Sequence, residues 1–291
     1  MMRTQSPLDL HLHTTVSDGS DTPEELLAKV RTSGIRLFSV TDHDAVKGCQ
    51  MIQRCLQPGD PAFLPGAEFS CKDKQGKYHI LAYGYELDSP GIQSLVKRSH
   101  SLRMEKVVAR LDFLRHHFGF TFPEPELQRL LSMDNPGKPH IGNLMVRCGY
   151  AATKEEAIET YINQLHMDSA YLLPETAISG ILAAGGIPVL AHPCFGSGSQ
   201  RIAGTEMEKR LSRLMEMGLQ GVEAYYSGFS TEMIQEMLTL AEQYALYVTA
   251  GSDYHGSNKT VKLGTTGMNG STPIPLGMRR FLAAVGMERI L

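Results

Sequence analysis

A chain of 291 residues with 42% hydrophobic content can bury a substantial core, which excludes wholesale disorder and leaves room for one large barrel or two domains. Its formal charge of -3 and pI near 6.4 exclude a protein that grips extended nucleic acid through a broad positive field, although a local basic pocket for one small anion stays open. Cys49, Cys55, Cys71, Cys148 and Cys194 form no CxxC pair and leave one over, and no window approaches the ~20 apolar residues of a membrane span, so we expect a soluble cytoplasmic protein without disulfides or a membrane partner.

The first element lies in residues 8–19, LDLHLHTTVSDG. In an extended strand His11 and His13 share one face while Leu10 and Leu12 share the other, so one face is chemistry and the other packing. The polar turn that follows can fold the Asp18 carboxylate back towards the imidazoles. Thr22-Pro23-Glu24-Glu25 then combines a capping threonine, a proline at the first helical position and a glutamate three residues past the cap, which predicts a helix to about Ser33 ending at Gly34. A short buried strand over Arg36 to Val40 runs into Thr41-Asp42-His43-Asp44, and a helix from Ala45 to about Leu56 follows. Alternation on both sides of the tip at Lys72 to Lys77 predicts a hairpin carrying Glu68 and His79.

From Ser89 to Leu173 the texture turns to long helical stretches with prolines, which reads as a helical insertion at 89–173 within a domain made of 1–88 and 174–291. The strand and helix rhythm resumes with a helix over Pro174 to Ala184 and a strand from Gly186 to Ala191 that ends at His192. A helix from Glu206 to Met217, a strand from Gly221 to Ala224, a helix from Thr231 to Tyr244 and a strand from Leu246 to Ala250 lead to Asp253 and His255. Strand, helix, strand order implies a parallel sheet.

Strand ends or adjoining loops thus deliver His11, His13, Asp18, His43, Glu68, His79, His192, Asp253 and His255. Residues far apart in sequence converge in this way at the C-terminal mouth of a parallel barrel. A lone histidine is more often a surface or hydrogen-bonded core residue than a ligand, but an HxH and a later DxH, each ending an apolar run, repeat the coincidence in one structural context. The donors are nitrogen and oxygen without thiolate, which suits zinc, manganese or iron, and nine are enough for two or three ions. Glu68 is the natural bridge.

The segments Asp9-Leu10-His11-Leu12-His13, Ser17-Asp18-Gly19, Thr41-Asp42-His43-Asp44, Gly66-Ala67-Glu68, His79, Ala191-His192-Pro193 and Ser252-Asp253-Tyr254-His255 together resemble the PHP (polymerase and histidinol phosphatase) family of metal-dependent phosphoesterases, in its small stand-alone form. The resemblance implies an α/β fold, a distorted (β/α)7 TIM-like barrel, and two or three divalent ions, manganese first and iron or zinc as alternatives. By analogy His11, His13, Glu68 and Asp253 surround one ion, Glu68, His79 and His192 a second, and Asp18, His43 and His255 a third.

Paired cations lower the pKa of a shared water and neutralise phosphate oxygens, so hydroxide can attack phosphorus in line with the leaving oxygen. Asp253, His255 and His43 are the candidate catalytic groups for the proton that the leaving oxygen needs. In the insertion, Gly137-Lys138-Pro139-His140 is similar to a basic segment of the small family members, which makes Lys138 and His140, with Arg103 on the preceding helix, candidate substrate-binding residues. The expected partner is a small phosphorylated metabolite: a nucleotide 3',5'-bisphosphate, a ribose phosphate or a cyclic phosphate ester. Histidinol phosphate is the runner-up, and an amidohydrolase acting on a C–N bond comes after it. His100, His116, His117 and His166 have no matched partner and read as surface residues, and Tyr225 and Tyr226 as packing, with Lys259 a weak further phosphate contact.

Overall fold

The computed structural model describes residues 6–167, 170–196 and 200–290; the first five residues of the chain lie outside these. The chain divides into two compact units, one made of 1–96 and 173–291 and the other of 97–172. The first is an α/β unit. Its strands are β1 (Leu8–Leu12), β2 (Leu37–Val40), β3 (Ala62–Phe63), β4 (Gly66–Asp73), β5 (Gly76–Tyr83), β6 (Ile187–Leu190), β7 (Gly221–Tyr226) and β8 (Tyr247–Gly251). Its helices are α1 (Pro23–Ser33), α2 (Lys47–Cys55) and the first turns of α3 (Pro90–Phe118), then α7 (Pro174–Ala183), α8 (Gly204–Glu216), α9 (Thr231–Gln243) and α10 (Leu276–Ala284).

Helix α1 forms for the reasons its sequence states. Glu25 N–H donates to Thr22 Oγ1 at 3.2 Å and Thr22 N–H to Glu25 Oε2 at 2.8 Å, Gly34 closes the helix with φ 81°, and Leu26, Leu27 and Val30 are buried. Helix α2 begins at Lys47 rather than Ala45. The residues before it are drawn to β4, where His43 bridges Glu68, Asp44 N–H donates to Glu68 O at 2.8 Å, and Asp44 Oδ1 accepts from Ser70 N–H.

The strands fall into two sheets, β1-β2-β3, wholly parallel, and β4-β5-β6-β7-β8. β4 and β5 form the hairpin, and β5 pairs β6 antiparallel before β6, β7 and β8 run parallel. A closed seven-stranded barrel is therefore not drawn by the hydrogen bonds. The two sheets meet through single bridges, Leu12 with Tyr254 and His43 with Glu68, and through His13 N–H to Tyr254 O and Asp253 N–H to His11 O, both 2.9 Å. Leu8, Leu10 and Leu12 are fully buried, as are Phe38, Phe69, Tyr83 and Phe281.

The second unit continues α3 and adds α4 (Glu124–Leu131), α5 (Lys138–Arg147) and the short α6 (Lys154–Glu156). Its own core gathers Val107, Leu114, Leu130, Ile141, Leu144 and Met145, with Phe120 stacked on Tyr150 at 4.2 Å. No helix is long and apolar enough to cross a membrane among the described residues.

Candidate metal centre

The nine donors all belong to the first unit: His11, Glu68 and His79 stand within β1, β4 and β5 rather than at strand ends, and the others in the loops that follow β1, β2, β6 and β8. Glu68 is the centre. In the hairpin register Ser70 faces His79, and Glu68, two residues away on the same face, becomes the diagonal neighbour of His79. His79 Nδ1 lies 2.8 Å from Glu68 Oε1 and His192 Nε2 3.2 Å from the same oxygen. The other oxygen, Oε2, has His43 Nδ1 at 3.1 Å, His11 Nε2 at 3.2 Å and His13 Nε2 at 3.3 Å. Asp253 Oδ1 approaches His13 Nε2 at 3.3 Å and His11 Nε2 at 3.6 Å, and Asp18 Oδ1 stands 3.2 Å from His255 Nε2.

Among the described residues, three overlapping groups present ligand atoms within 4.8 Å of one another: His13, Asp18, His43 and His255; His11, His13 and Asp253; His43, Glu68 and His79. His11 Nε2, His13 Nε2 and Glu68 Oε2 are shut from solvent and make no hydrogen bond of acceptable geometry. Such atoms are costly to bury unless something binds them. Their separations match the edges of about 3.0–3.4 Å that follow from metal–ligand bonds of about 2.1 Å, so the donor set fits divalent ions.

The charges agree. Burial works against ionisation of every carboxylate here, yet Glu68 is held well below the usual range by His43, His11 and His79, and Asp18 by His43, His255 and His13. Asp253 is held low likewise by the neighbouring His13 and His11 and by Lys259. Burial lowers His43 to about 3, so its ring stays neutral, whereas His13, for all its burial, is pushed up to about 9 by Asp253 and Glu68.

Backbone geometry aims these groups. Asp44, His192 and Asp253 adopt positive φ (53°, 29° and 58°), a conformation that side chains with a Cβ rarely take and that clusters at functional sites. Gly251 leaves the space that a Cβ would contest with His11 and Glu223.

Sequence reasoning passed over Glu223 in β7. It is fully buried, its Oε1 lies 2.9 Å from His11 Nδ1, and its Oε2 accepts from His192 N–H at 2.8 Å. The first contact commits His11 to offering Nε2, the arrangement expected of a ligand histidine with a carboxylate behind it. A charged residue within the apolar run Gly221–Tyr226 was the available signal, because a buried carboxylate demands partners. Asp9 and Asp42 are likewise structural. Asp9, raised to about 6 by burial, accepts from Ser252 and Gly264 N–H, both at 2.8 Å, and Asp42 accepts from Thr14 N–H and Ser17 Oγ. Tyr226 is more than packing, since its hydroxyl donates to Asp253 Oδ2 at 2.9 Å, where Lys259 Nζ also arrives at 2.7 Å.

Arg103, Lys138 and His140 belong to the other unit. Lys138 donates to Asn163, Gly137 N–H donates to His140 Nδ1 at 3.1 Å, and Arg103 lies against Gly137. His116, His117 and His166 are exposed, and His100 Nδ1 meets Asp134 O at 2.9 Å.

The PHP domain matches residues 9–172, more than half of the chain. The chain belongs to the PHP domain family. It is 25% identical over 262 residues to a Haemophilus influenzae protein named a 5'-3' exoribonuclease, covering 88% of this chain and 92% of that one. It is 28% identical to a phosphoribosyl 1,2-cyclic phosphate 1,2-diphosphodiesterase of Eggerthella lenta (85% and 94% covered). It is 24% identical to a 3',5'-nucleoside bisphosphate phosphatase of Chromobacterium violaceum (85% and 87%). Two solved structures share the fold: a Bifidobacterium adolescentis protein provisionally named a metal-dependent phosphoesterase (TM-score 0.77, 24% identity, 95% and 96% covered) and a Chromobacterium violaceum protein named an amidohydrolase, with bound sulfate (0.79, 23%, 96% and 97%).

Proposed function

We propose that this PHP-family chain is a metal-dependent phosphoesterase acting on nucleotide 3',5'-bisphosphates, ribose phosphates or cyclic phosphate esters, with two or three divalent ions, manganese before iron or zinc. The observation that supports this reading is the convergence of buried nitrogen and oxygen donors with unsatisfied lone pairs on Glu68. Divalent ions held there would supply a water of lowered pKa and neutralise phosphate oxygens.

The chain's own residues divide the rest of the work. Glu68, with histidines against each of its oxygens, is the bridging donor; His11, His13 and Asp253 complete one position, His79 and His192 a second, and Asp18, His43 and His255 a third. Lys259 and Tyr226 fix the Asp253 carboxylate. Asp253, His255 and His43 are the groups placed to pass a proton to the leaving oxygen. Arg103, Lys138 and His140 are assigned to a substrate phosphate. In the same reading the two sheets are arcs of a distorted seven-stranded barrel and 89–173 is its helical insertion. Five unpaired thiols support a reducing cytoplasm.

RNA belongs in the substrate panel, because a relative named a 5'-3' exoribonuclease is as similar as the phosphatase. The test is phosphate release with added manganese from adenosine 5'-monophosphate, adenosine 3',5'-bisphosphate, ribose 5-phosphate, a cyclic ribose phosphate and histidinol phosphate, beside shortening of a 5'-phosphorylated RNA. Release from one of the first four supports the reading. No phosphate from any of them, together with C–N bond hydrolysis, overturns it.

A further inference from the structure

The cavity at the strand ends, about 340 Å³, continues past His79 and His192 to Lys77, Tyr78 and Arg210. Lys77 and His79 lie two residues apart on one face of β5, about 7 Å along the strand. Their carbonyls also point to one edge. His79 O accepts from Ala191 N–H at 3.0 Å, the last pairing before the chain turns away at His192, and Lys77 O accepts from Arg210 Nη2 at 2.9 Å. The guanidinium, delivered by α8, therefore stands where a further residue of β6 would stand, next to the His79 and His192 side of the donors.

Arg210 is otherwise under-used. Its plane lies 4.2 Å from the centroid of the Tyr78 ring, its Nε is shut from solvent without a hydrogen-bond partner, and no carboxylate comes within ion-pair distance among the described residues. Neighbouring Arg213 is committed to Asp73 at 2.5 Å and to the Tyr78 hydroxyl. A partly desolvated, planar cation with spare donors is suited to a phosphate rather than to water. Phe195 and Tyr226 line the same cavity, packed edge to face with ring centroids 5.9 Å apart.

We propose that Arg210 binds a second phosphate of the substrate, one nucleoside's span from the ester held at the metal donors. The proposal rests on the phosphoesterase reading. It makes substrates with two phosphates the favoured class, whether a nucleoside bisphosphate or an oligoribonucleotide that presents its next phosphodiester.

The test is equilibrium binding to the full-length protein, with calcium in place of manganese, of adenosine 5'-monophosphate, adenosine 3',5'-bisphosphate and the 5'-phosphorylated dinucleotide pApA. Wild-type protein should prefer at least one two-phosphate probe over the monophosphate, and Arg210→Gln, which keeps a donor near Lys77 O, should reduce that preference about tenfold while Arg210→Lys restores part of it. Which of the two probes is preferred identifies the source of the second phosphate. Equal binding of all three by wild type, or an undiminished preference in a folded Arg210→Gln protein, overturns the proposal even if phosphate esters are hydrolysed. Preference lost on substitution without turnover of any ester would instead retain the subsite and remove the phosphoesterase reading.

Discussion

Two buried glutamates divide the centre's work by what their oxygens touch. Glu68 directs both oxygens at imidazole nitrogens, whereas Glu223 spends one oxygen on His11 Nδ1 and the other on His192 N–H. Glu68→Gln should therefore cut turnover by at least about a hundredfold and lower the bound metal measured on the same preparation; near-normal turnover in a folded, metal-poor variant would refute its bridging role. Glu223→Gln keeps the shape but weakens the hold on His11, and metal affinity measured by titration calorimetry should fall roughly 10–100-fold. Unchanged affinity would reduce Glu223 to a packing residue. The histidine donors were legible because HxH at period two and DxH after an apolar run announce a face and a strand end. Glu223 was less so, since a single acidic letter between Val222 and Ala224 signals a buried charge without naming its partner, and only the fold reveals that His11 lies across from it.

At the scale of elements, α1 shows how completely local rules can specify a boundary, and α2 how a tertiary tie overrides them. Thr22→Ala should remove the α1 cap and cost about 1 kcal/mol in chemical denaturation. Arg31 at the end of the same helix donates to both oxygens of Asp60, whose carboxyl is held at about 2 chiefly by that hydrogen bond. A carboxylate with a folded pKa below its unfolded 3.8 adds stability that is complete above 3.8 and fades as pH falls through about 2. The melting-temperature gap between wild type and Asp60→Asn should accordingly be constant above pH 5 or so and close below about pH 3. A gap independent of pH would mean that the pair contributes through packing alone. The parallel strands and their helices followed from apolar runs, but the antiparallel insertion of β4 and β5 beside β6 did not, because sequence alternation indicates a hairpin without saying which strand it will join.

The whole molecule should respond to metal as a folding partner. Manganese that binds the folded state alone adds about 2.7 kcal/mol at a concentration one hundred times its dissociation constant, so the melting temperature should rise with manganese and fall on chelation. No shift in either direction would argue that the donor cluster is satisfied without ions. The net charge of -3 argues against a broad positive field but does not decide between a small and a polymeric substrate, since a cavity wall can be basic on an acidic protein.

One feature of the sheets gives this response a location. The two sheets are joined at the site by isolated bridges, and the donors sit on both sides of the join, His11 on β1 and His13 just beyond it, Glu68 and His79 on β4 and β5, and His192 and Asp253 just beyond β6 and β8. Ions shared across that seam would act as rivets, and the amides that cross it, His13 N–H to Tyr254 O and Asp253 N–H to His11 O, are the bonds a rivet would keep shut. Hydrogen–deuterium exchange should slow at these two amides on manganese loading more than at the hairpin amides of β4 and β5, so that the chemistry of the centre and the closure of the fold become one measurable event.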